Sequence, residues 1–248
     1  MITRKSAAEI ATMRRAGRVV AEVLALVEEE LRPGVSTARL DTLAEAHIRK
    51  AGATPSFKGY YGYPSSLCIS IDREVVHGIP GDRVIREGQV VSIDAGAIVD
   101  GWHGDAARTF VVGDVPQPVR DLVDATRQAL EAGIAAARPG NRIWDVSAAV
   151  EDVALPRGYG VVRPYVGHGI GSAMHEEPQV PNYRTKTRGI ELAPGICLAI
   201  EPMFTLGSAE VETLDDGWTV VTRDGSIAAH WEDSIAVTEN GPEVLTRP

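Results

Sequence analysis

The chain has 248 residues, of which 44% are hydrophobic and 24% charged, so it carries enough apolar sequence to build a full globular core. Its formal net charge of −9 disfavours non-specific binding to nucleic acid, because such binding needs a basic face that displaces counterions. Two cysteines exclude a disulfide framework and a four-thiolate zinc site. The N-terminus lacks an apolar signal core, and no apolar run approaches the roughly 20 residues of a membrane span. We therefore expect a cytoplasmic protein.

The first half of the chain predicts two helices followed by a strand that ends in an acid. An amphipathic segment precedes Arg32-Pro33-Gly34, and a second helical pattern runs from Thr37 to Lys50. His77-Gly78-Ile79 comes next. The run Gly88–Asp94 then opens on a glycine, is rich in β-branched residues and closes on a carboxylate, which predicts a strand.

A hairpin follows that strand. Asp100-Gly101 predicts a two-residue turn, because both positions tolerate a positive φ. In that register Asp94 faces Ala107 and Gly96 faces Asp105. Asp94 and Asp105 then become diagonal neighbours on one face of the hairpin, about 7–8 Å apart at the backbone. Their carboxylates can converge on one point.

The second half repeats the order of the first. Pro116 to Pro118 predicts a linker, and another amphipathic segment leads to Arg138-Pro139-Gly140. A helical pattern runs from Ile143 to Leu155, and His168-Gly169-Ile170 follows. The β-rich run Gly195–Glu201 again opens on a glycine and ends on a carboxylate six positions later. The ordered repetition predicts a duplicated α/β architecture.

We expect two similar halves, approximately residues 5–112 and 118–238, related by pseudo-two-fold symmetry. Their strands would form a mixed, mainly antiparallel sheet whose outer face is covered by helices. Both acid-terminated strands would face one central cleft. Because that cleft needs both halves, residues 1–248 are predicted to form a single catalytic domain.

A fourth acid completes the predicted cluster. Asp224-Gly225 suggests a hairpin into the run Ala228–Glu232, and pairing this run beside the strand ending at Glu201 would bring Glu232 into the cleft. His168 lies between glycines, where the backbone can approach closely. Four converging carboxylates are costly without cations, because each like charge raises the pKa of its neighbour. Two divalent ions would balance them. Each acid alone is better explained as a solvated or turn-capping residue, so the metal-site hypothesis depends on spacing and repetition.

The motifs together resemble type I methionine aminopeptidases, the short bacterial form within peptidase family M24. The likeness spans essentially the whole chain. It is carried by Glu74–Pro80, Ile93-Asp94, His103-Gly104-Asp105, Gly167–Gly171, His175–Pro178, Ile200–Met203, Asp216–Thr219 and Glu232.

The resemblance implies the pita-bread fold and a metalloaminopeptidase that removes N-terminal methionine. A water or hydroxide bridging two divalent ions would attack the first peptide bond. The implied metal ligands are Asp94, Asp105, His168, Glu201 and Glu232. The implied catalytic residues are His77, His175 and Glu201. Substrate would contact His77, His175, Tyr60, Tyr63, Cys68 and Trp218. The metal stays open among Co, Mn, Fe, Ni and Zn.

The implied substrates are nascent polypeptides whose N-terminal methionine precedes a small residue. Transient association with the ribosome and a monomeric state are expected, with no nucleic acid or membrane as partner. A proline-specific aminopeptidase or prolidase of the same fold is the alternative, and a non-catalytic binding relative is a further one. Two positions depart from better-known members: Gly96 often corresponds to threonine, and Phe57 to cysteine.

Overall fold

The computed structural model describes residues 2–248. Its α-helices are α1 (Ala7–Glu30), α2 (Thr37–Lys50), α3 (Gln117–Ala136) and α4 (Ile143–Ala154). Its strands are β1 (Thr54–Pro55), β2 (Leu67–Ile71), β3 (Glu74–Val76), β4 (Gln89–Val99), β5 (Trp102–Val112), β6 (Gly160–Val161), β7 (Gly167–Gly169), β8 (Glu176–Val180), β9 (Cys197–Ile200), β10 (Met203–Thr205), β11 (Val211–Thr213), β12 (Val220–Thr222), β13 (Ala228–His230), β14 (Asp233–Thr238) and β15 (Gly241–Val244). Within residues 2–248, none of the helices combines the length and the apolar character needed to cross a membrane.

The helices follow the sequence patterns closely. The hydroxyl of Ser6 and the carboxylate of Glu9 form a capping box that starts α1. The predicted helix Thr37–Lys50 is confirmed as α2. Helix α4 ends one residue before the predicted Leu155, because Pro156 lies in a 3₁₀ turn that replaces the last helical turn.

The prediction of a linker at Pro116 to Pro118 is wrong. Pro116 is the N-cap of α3, and Pro118 lies in the first turn of that helix. The first turn of a helix has no internal acceptor for its N–H groups, so a proline costs nothing there and its fixed φ favours the helix. The two prolines therefore start a helix.

The first hairpin has the predicted turn and register. Asp100 and Gly101 adopt φ values of 49° and 80°, as a two-residue turn of this kind requires. Asp94 pairs with Ala107, and Gly96 pairs with Asp105. This confirms that both aspartates point to the same face of the β4–β5 hairpin.

The second predicted hairpin is wrong. The chain does turn at Gly225, whose φ is 76°, but β12 pairs with β11 and β3, whereas β13 pairs with β10. The Asp224 carboxylate accepts hydrogen bonds from the main-chain N–H groups of Ser208 and Ser226, which holds a loop between the two strands. β13 and β14 are separate strands, and β14 pairs with β9 so that Asp233 faces Ile200. Glu232 still comes to lie beside Glu201.

Two larger antiparallel sheets meet at the centre of the molecule. In the first, β4 pairs with β1, β2 and β5; the second has the order β15-β14-β9-β7-β8. Every strand pairing within residues 2–248 is antiparallel. The main chains of Ala107 and Glu232 exchange hydrogen bonds of 2.9 and 3.3 Å, which join the two sheets.

Each sheet is covered by one helix pair. Leu40 of α2 and Val20 of α1 pack with Ile93 in one buried cluster, and Leu122 of α3 packs with Leu198 in another. Burying these apolar faces is the main stabilisation of such layers. The helices therefore lie on the outside, and the acid-bearing parts of both sheets face the middle of the molecule.

Candidate metal centre

The β4–β5 hairpin supplies the first two acids of the centre. Asp94 and Asp105 extend from the same face, and Asp105 is buried. Within residues 2–248, the Oδ1 atoms of both side chains are shielded from solvent and have no hydrogen-bond partner. Buried carboxylate oxygens are almost always paired, so these two atoms fit the role of cation ligands.

The second sheet supplies the other three residues. His168 lies on β7, Glu201 directly follows β9, and Glu232 lies between β13 and β14. Ligand atoms of Asp105, His168 and Glu232 all lie within 4.8 Å of one another. The Nε2 atom of His168 is 3.7 Å from Glu201 Oε1 and 3.9 Å from Asp105 Oδ2. Side chains from both sheets thus converge on one point.

The imidazole of His168 is oriented for ligation. Its Nδ1–H donates to the main-chain oxygen of Gly169 at 2.9 Å, which leaves the Nε2 lone pair facing the acids. Burial, followed by the neighbouring His175, lowers the pKa of His168 to about 3. The ring is therefore neutral near pH 7, as a metal ligand must be.

Burial raises the pKa of every acid in the cluster, and repulsion between the acids adds to this for Asp94, Asp105 and Glu232. Burial raises the pKa of Glu201 to about 8, and burial together with the charge of Glu201 raises that of Asp94 to about 7. The pKa values of Asp105 and Glu232 lie well above the usual range, because both are buried and repelled by the other acids. The donor set of carboxylates and one neutral imidazole fits a divalent transition metal.

The acids open into a cavity of about 240 Å³. This cavity brings together all the site residues predicted from the sequence. It is lined by Phe57, Tyr60, Tyr61, Tyr63, Cys68, His77, Asp94, Asp105, His168, Met174, His175, Glu201, Trp218 and Glu232.

One wall of the cavity is apolar. The Tyr63 hydroxyl donates to main-chain oxygens of Leu67 and Gly78, both at 3.0 Å, and the Tyr63 ring meets Trp218 edge to face at 5.0 Å. Cys68 pairs with Asp94 across β2 and β4, so this wall begins directly beside the acids. Such a fixed aromatic wall suits a flexible apolar side chain.

Two histidines without acidic partners also face the cavity. His175 Nδ1 lies 2.8 Å from the Tyr60 hydroxyl, and the His175 ring lies 4.3 Å from that of His168. His77 has a φ of 62°, a conformation that costs a non-glycine residue free energy and occurs preferentially at functional sites. Burial, then the nearby His230 and His175, lowers the pKa of His77 to about 4. His77 is therefore neutral at pH 7.

His230 lies at the acids, although it is not among the predicted metal ligands, catalytic residues or substrate contacts. Its ring is buried, and its Nε2 lies 3.6 Å from Glu201 Oε2, with no hydrogen-bond partner in the described chain. Its position two residues before Glu232 was the available signal. The Nδ1 of His103, two residues before Asp105, lies 3.0 Å from the Ser56 hydroxyl.

The two departures from the family pattern form one packing arrangement. A Cβ atom at Gly96 would lie 2.8 Å from the Phe57 ring and 2.7 Å from the Cβ of Ser56, closer than real contacts allow. The missing side chain at Gly96 therefore provides the space that Phe57 occupies in the cavity wall.

Comparisons with known proteins agree with this geometry. The model of metallopeptidase family M24 matches residues 11–239. A methionine aminopeptidase of Clostridium acetobutylicum is 50% identical over 247 residues, which cover 99% of each chain, and methionine aminopeptidase 1 of Bacillus subtilis is 47% identical over the full length of both. The crystal structure of methionine aminopeptidase from Thermotoga maritima superposes over both whole chains with a TM-score of 0.98 and 44% identity. The pita-bread fold is confirmed.

Metal removal is expected to make stability depend on pH. The acids have raised pKa values in the metal-free folded protein, so stability falls as the pH rises from the unfolded-state pKa of about 4 toward the folded-state values, and the loss is complete above them. A carboxyl that is ionised in the unfolded chain and still protonated in the folded one costs up to about 1.4 kcal/mol per pH unit, or roughly 3–6 °C in Tm. We expect the Tm of stripped protein to fall between pH 7 and 8.5, measured by calorimetry.

Metal-loaded protein is the control, because its acids are already neutralised and its other titrating groups are the same. The histidines do not oppose this fall in Tm, because their imidazole rings are largely neutral above pH 7 in both the folded and the unfolded protein. A stripped protein whose Tm follows that of the loaded protein across this range would contradict the electrostatic account.

Proposed function

The chain belongs to metallopeptidase family M24, and from that premise we propose that its cavity removes the N-terminal methionine of peptides and newly made proteins. The observation that carries the proposal is a single cavity in which four carboxylates and His168 face an apolar wall. Full-length relatives with about half of their residues identical are named methionine aminopeptidases, which supports the same reaction. The enzyme is a metal-dependent hydrolase.

We propose that Asp94, Asp105, His168, Glu201 and Glu232 hold two divalent ions chosen from Co, Mn, Fe, Ni and Zn. The convergence of these side chains on one cavity and the unpaired buried oxygens of Asp94, Asp105 and Glu232 support this assignment. When bound, the ions would neutralise the acids, polarise the scissile carbonyl and lower the pKa of a nearby water.

The chain's own residues supply proton transfer and orientation. Glu201, which lines the cavity among the acids, is the proposed acceptor for the proton of the attacking water. Tyr60 fixes the Nδ1 side of the His175 ring, so the Nε2 side is free to donate to the oxygen that becomes negative. Neutral His77 would contact the scissile amide and help the leaving amine depart.

The apolar wall is the proposed methionine pocket. Tyr60, Tyr63, Cys68 and Trp218 would enclose the thioether side chain beside the acids, with Met174 completing the surface. The proposed substrates carry a small second residue and are met in the cytoplasm. We further predict transient association with the ribosome and a monomeric state. The division of the single catalytic domain into halves 5–112 and 118–238 is also a prediction.

A tripeptide assay tests this proposal against proline-specific cleavage. Metal-loaded protein should release methionine from Met-Ala-Ser with a kcat/KM at least about 100-fold above that for Ala-Pro-Ala, because only the first peptide fills the apolar wall. Product amines are quantified by chromatography over time. Faster hydrolysis of Ala-Pro-Ala would assign the cavity to a proline-specific peptidase, and no hydrolysis of either would indicate a binding protein.

A further inference from the structure

Asp233, the residue after Glu232, is fully buried and completely paired. Arg108 Nη2 donates to its Oδ1 atom at 2.6 Å, and Arg247 donates to its Oδ2 from Nε at 2.9 Å and from Nη2 at 2.6 Å. The Thr246 hydroxyl donates to Oδ1 at 2.8 Å. Charge-assisted bonds of this length fix both position and orientation. Asp233 is therefore a rigid point beside the metal centre.

The same arginine also holds the main chain of Glu232. Arg108 Nη1 donates to the main-chain oxygen of Glu232 and, at 2.8 Å, to that of Ala107. The Glu232 N–H donates to the Ala107 oxygen at 2.9 Å. The backbone from which the Glu232 carboxylate extends is thus bound to β5 on both sides.

A parallel set of contacts reaches Asp105. The Ser234 hydroxyl accepts from the Asp105 N–H at 3.1 Å and donates to the Asp105 main-chain oxygen at 2.8 Å. The Ser234 N–H donates to the Thr246 hydroxyl at 3.2 Å, and the Leu245 N–H donates to the Ser234 oxygen at 2.9 Å. The C-terminal segment Leu245–Arg247 is therefore connected to the backbones of two acids in the cavity.

These backbone contacts matter because the carboxylates themselves lack support. Asp105 Oδ1 and Glu232 Oε1 are buried without hydrogen-bond partners in residues 2–248, so no neighbouring side chain holds those atoms in place. The acids also repel one another until cations arrive. Their convergence must then be maintained from the main chain, at the positions that Arg108, Ser234 and Thr246 hold.

We propose that Asp233, Arg108, Thr246 and Arg247 form a brace that positions the carboxylates of Asp105 and Glu232, so that the C-terminal segment sets the affinity of the metal centre. The inference depends on the proposed ligand roles of Asp105 and Glu232. The four brace residues are positioning residues and touch no substrate.

Arg247→Ala is the variant that tests the brace. It removes two of the bonds to Asp233 but leaves Arg108 and Thr246 in place, so the buried charge stays compensated and the fold is kept. We expect Mn²⁺ to bind stripped R247A about 10- to 100-fold more weakly than wild type, as measured by titration calorimetry, because outer contacts of ligands have effects of this size. The visible absorption spectrum of the Co²⁺-loaded variant should change as well. Arg247→Lys, which keeps the charge, should recover part of the affinity.

Arg14→Ala is the matched control. Arg14 forms a 2.6 Å ion pair with Glu243, and its side chain is 43% exposed compared with 37% for Arg247. Arg14 makes no contact with the acids or with Asp233, so R14A should bind Mn²⁺ as wild type does. Thr246→Val provides a second brace variant that leaves all charges unchanged.

The outcomes separate the brace from the ligand assignment. If R247A and T246V bind Mn²⁺ with wild-type Kd and show only a lower Tm, the brace is purely structural and the proposal is overturned. Glu232→Gln tests the premise in the same titration. If E232Q keeps full metal binding, the ligand assignment itself fails, and the brace fails with it.

Discussion

Glu232→Gln is expected to lower kcat/KM on Met-Ala-Ser by at least about 1,000-fold, equivalent to roughly 4 kcal/mol of transition-state stabilisation. Glu232 is buried among three other acids, and a neutral amide is a poor ligand for a transition metal. The bound metal should fall below that of wild type. Kinetics and elemental analysis of the same purified sample measure both effects.

The fold should survive this substitution. Repulsion from Asp105, Glu201 and Asp94 raises the pKa of Glu232, so removing its charge relieves strain in the metal-free protein. The stripped variant should therefore melt no lower than stripped wild type near pH 8. This separates a lost ligand from a misfolded chain.

Glu243→Gln is the control for this prediction. Its side chain is 39% exposed on β15, far from the acid cluster, and should show wild-type activity and metal content. An E232Q protein that keeps wild-type metal content and activity within 10-fold of wild type would remove Glu232 from the ligand set.

Turn residues predicted one hairpin correctly and the other wrongly, and the difference lies in how the flanking strands are paired. At Asp100-Gly101 the turn joins two long strands, β4 and β5, that pair with each other along their whole length. The turn type therefore sets their register. At Asp224-Gly225 the preceding strand β12 is already paired on both edges, by β11 and β3. A turn signal cannot reveal which edges are occupied, because strand pairing with distant segments decides that.

The acids were accessible to sequence reasoning because two of them lie within the strands of one hairpin and the other two flank strands. Spacing places Asp94 and Asp105 on one face, and repetition adds Glu201. The spacing of residues cannot predict the contacts between segments that are distant in the sequence. The Tyr60–His175 contact joins residues 115 positions apart, and the packing of Phe57 against Gly96 depends on a loop placed over β4.

His77→Ala is expected to lower kcat on Met-Ala-Ser by about 100- to 1,000-fold while metal content stays near wild type. His77 lines the cavity, is neutral at pH 7 and bonds to none of the acids, so its loss should remove a contact to the reacting amide and leave the ligands intact. KM should change less than kcat, because this contact strengthens only as the amide bond breaks. Steady-state kinetics and metal analysis of the same preparation measure these quantities.

His47→Ala is the matched control for His77→Ala, since His47 lies on α2 and its Nε2 is 3.0 Å from a Glu22 carboxylate on the exposed outer side. It should retain wild-type turnover. Loss of metal in H77A would make His77 a ligand or a support of one, and unchanged turnover would exclude it from the reaction. A fall in kcat at unchanged Tm and unchanged metal content would mean that neither the fold nor the ligands had been disturbed. Such a result would therefore assign the effect to the imidazole itself.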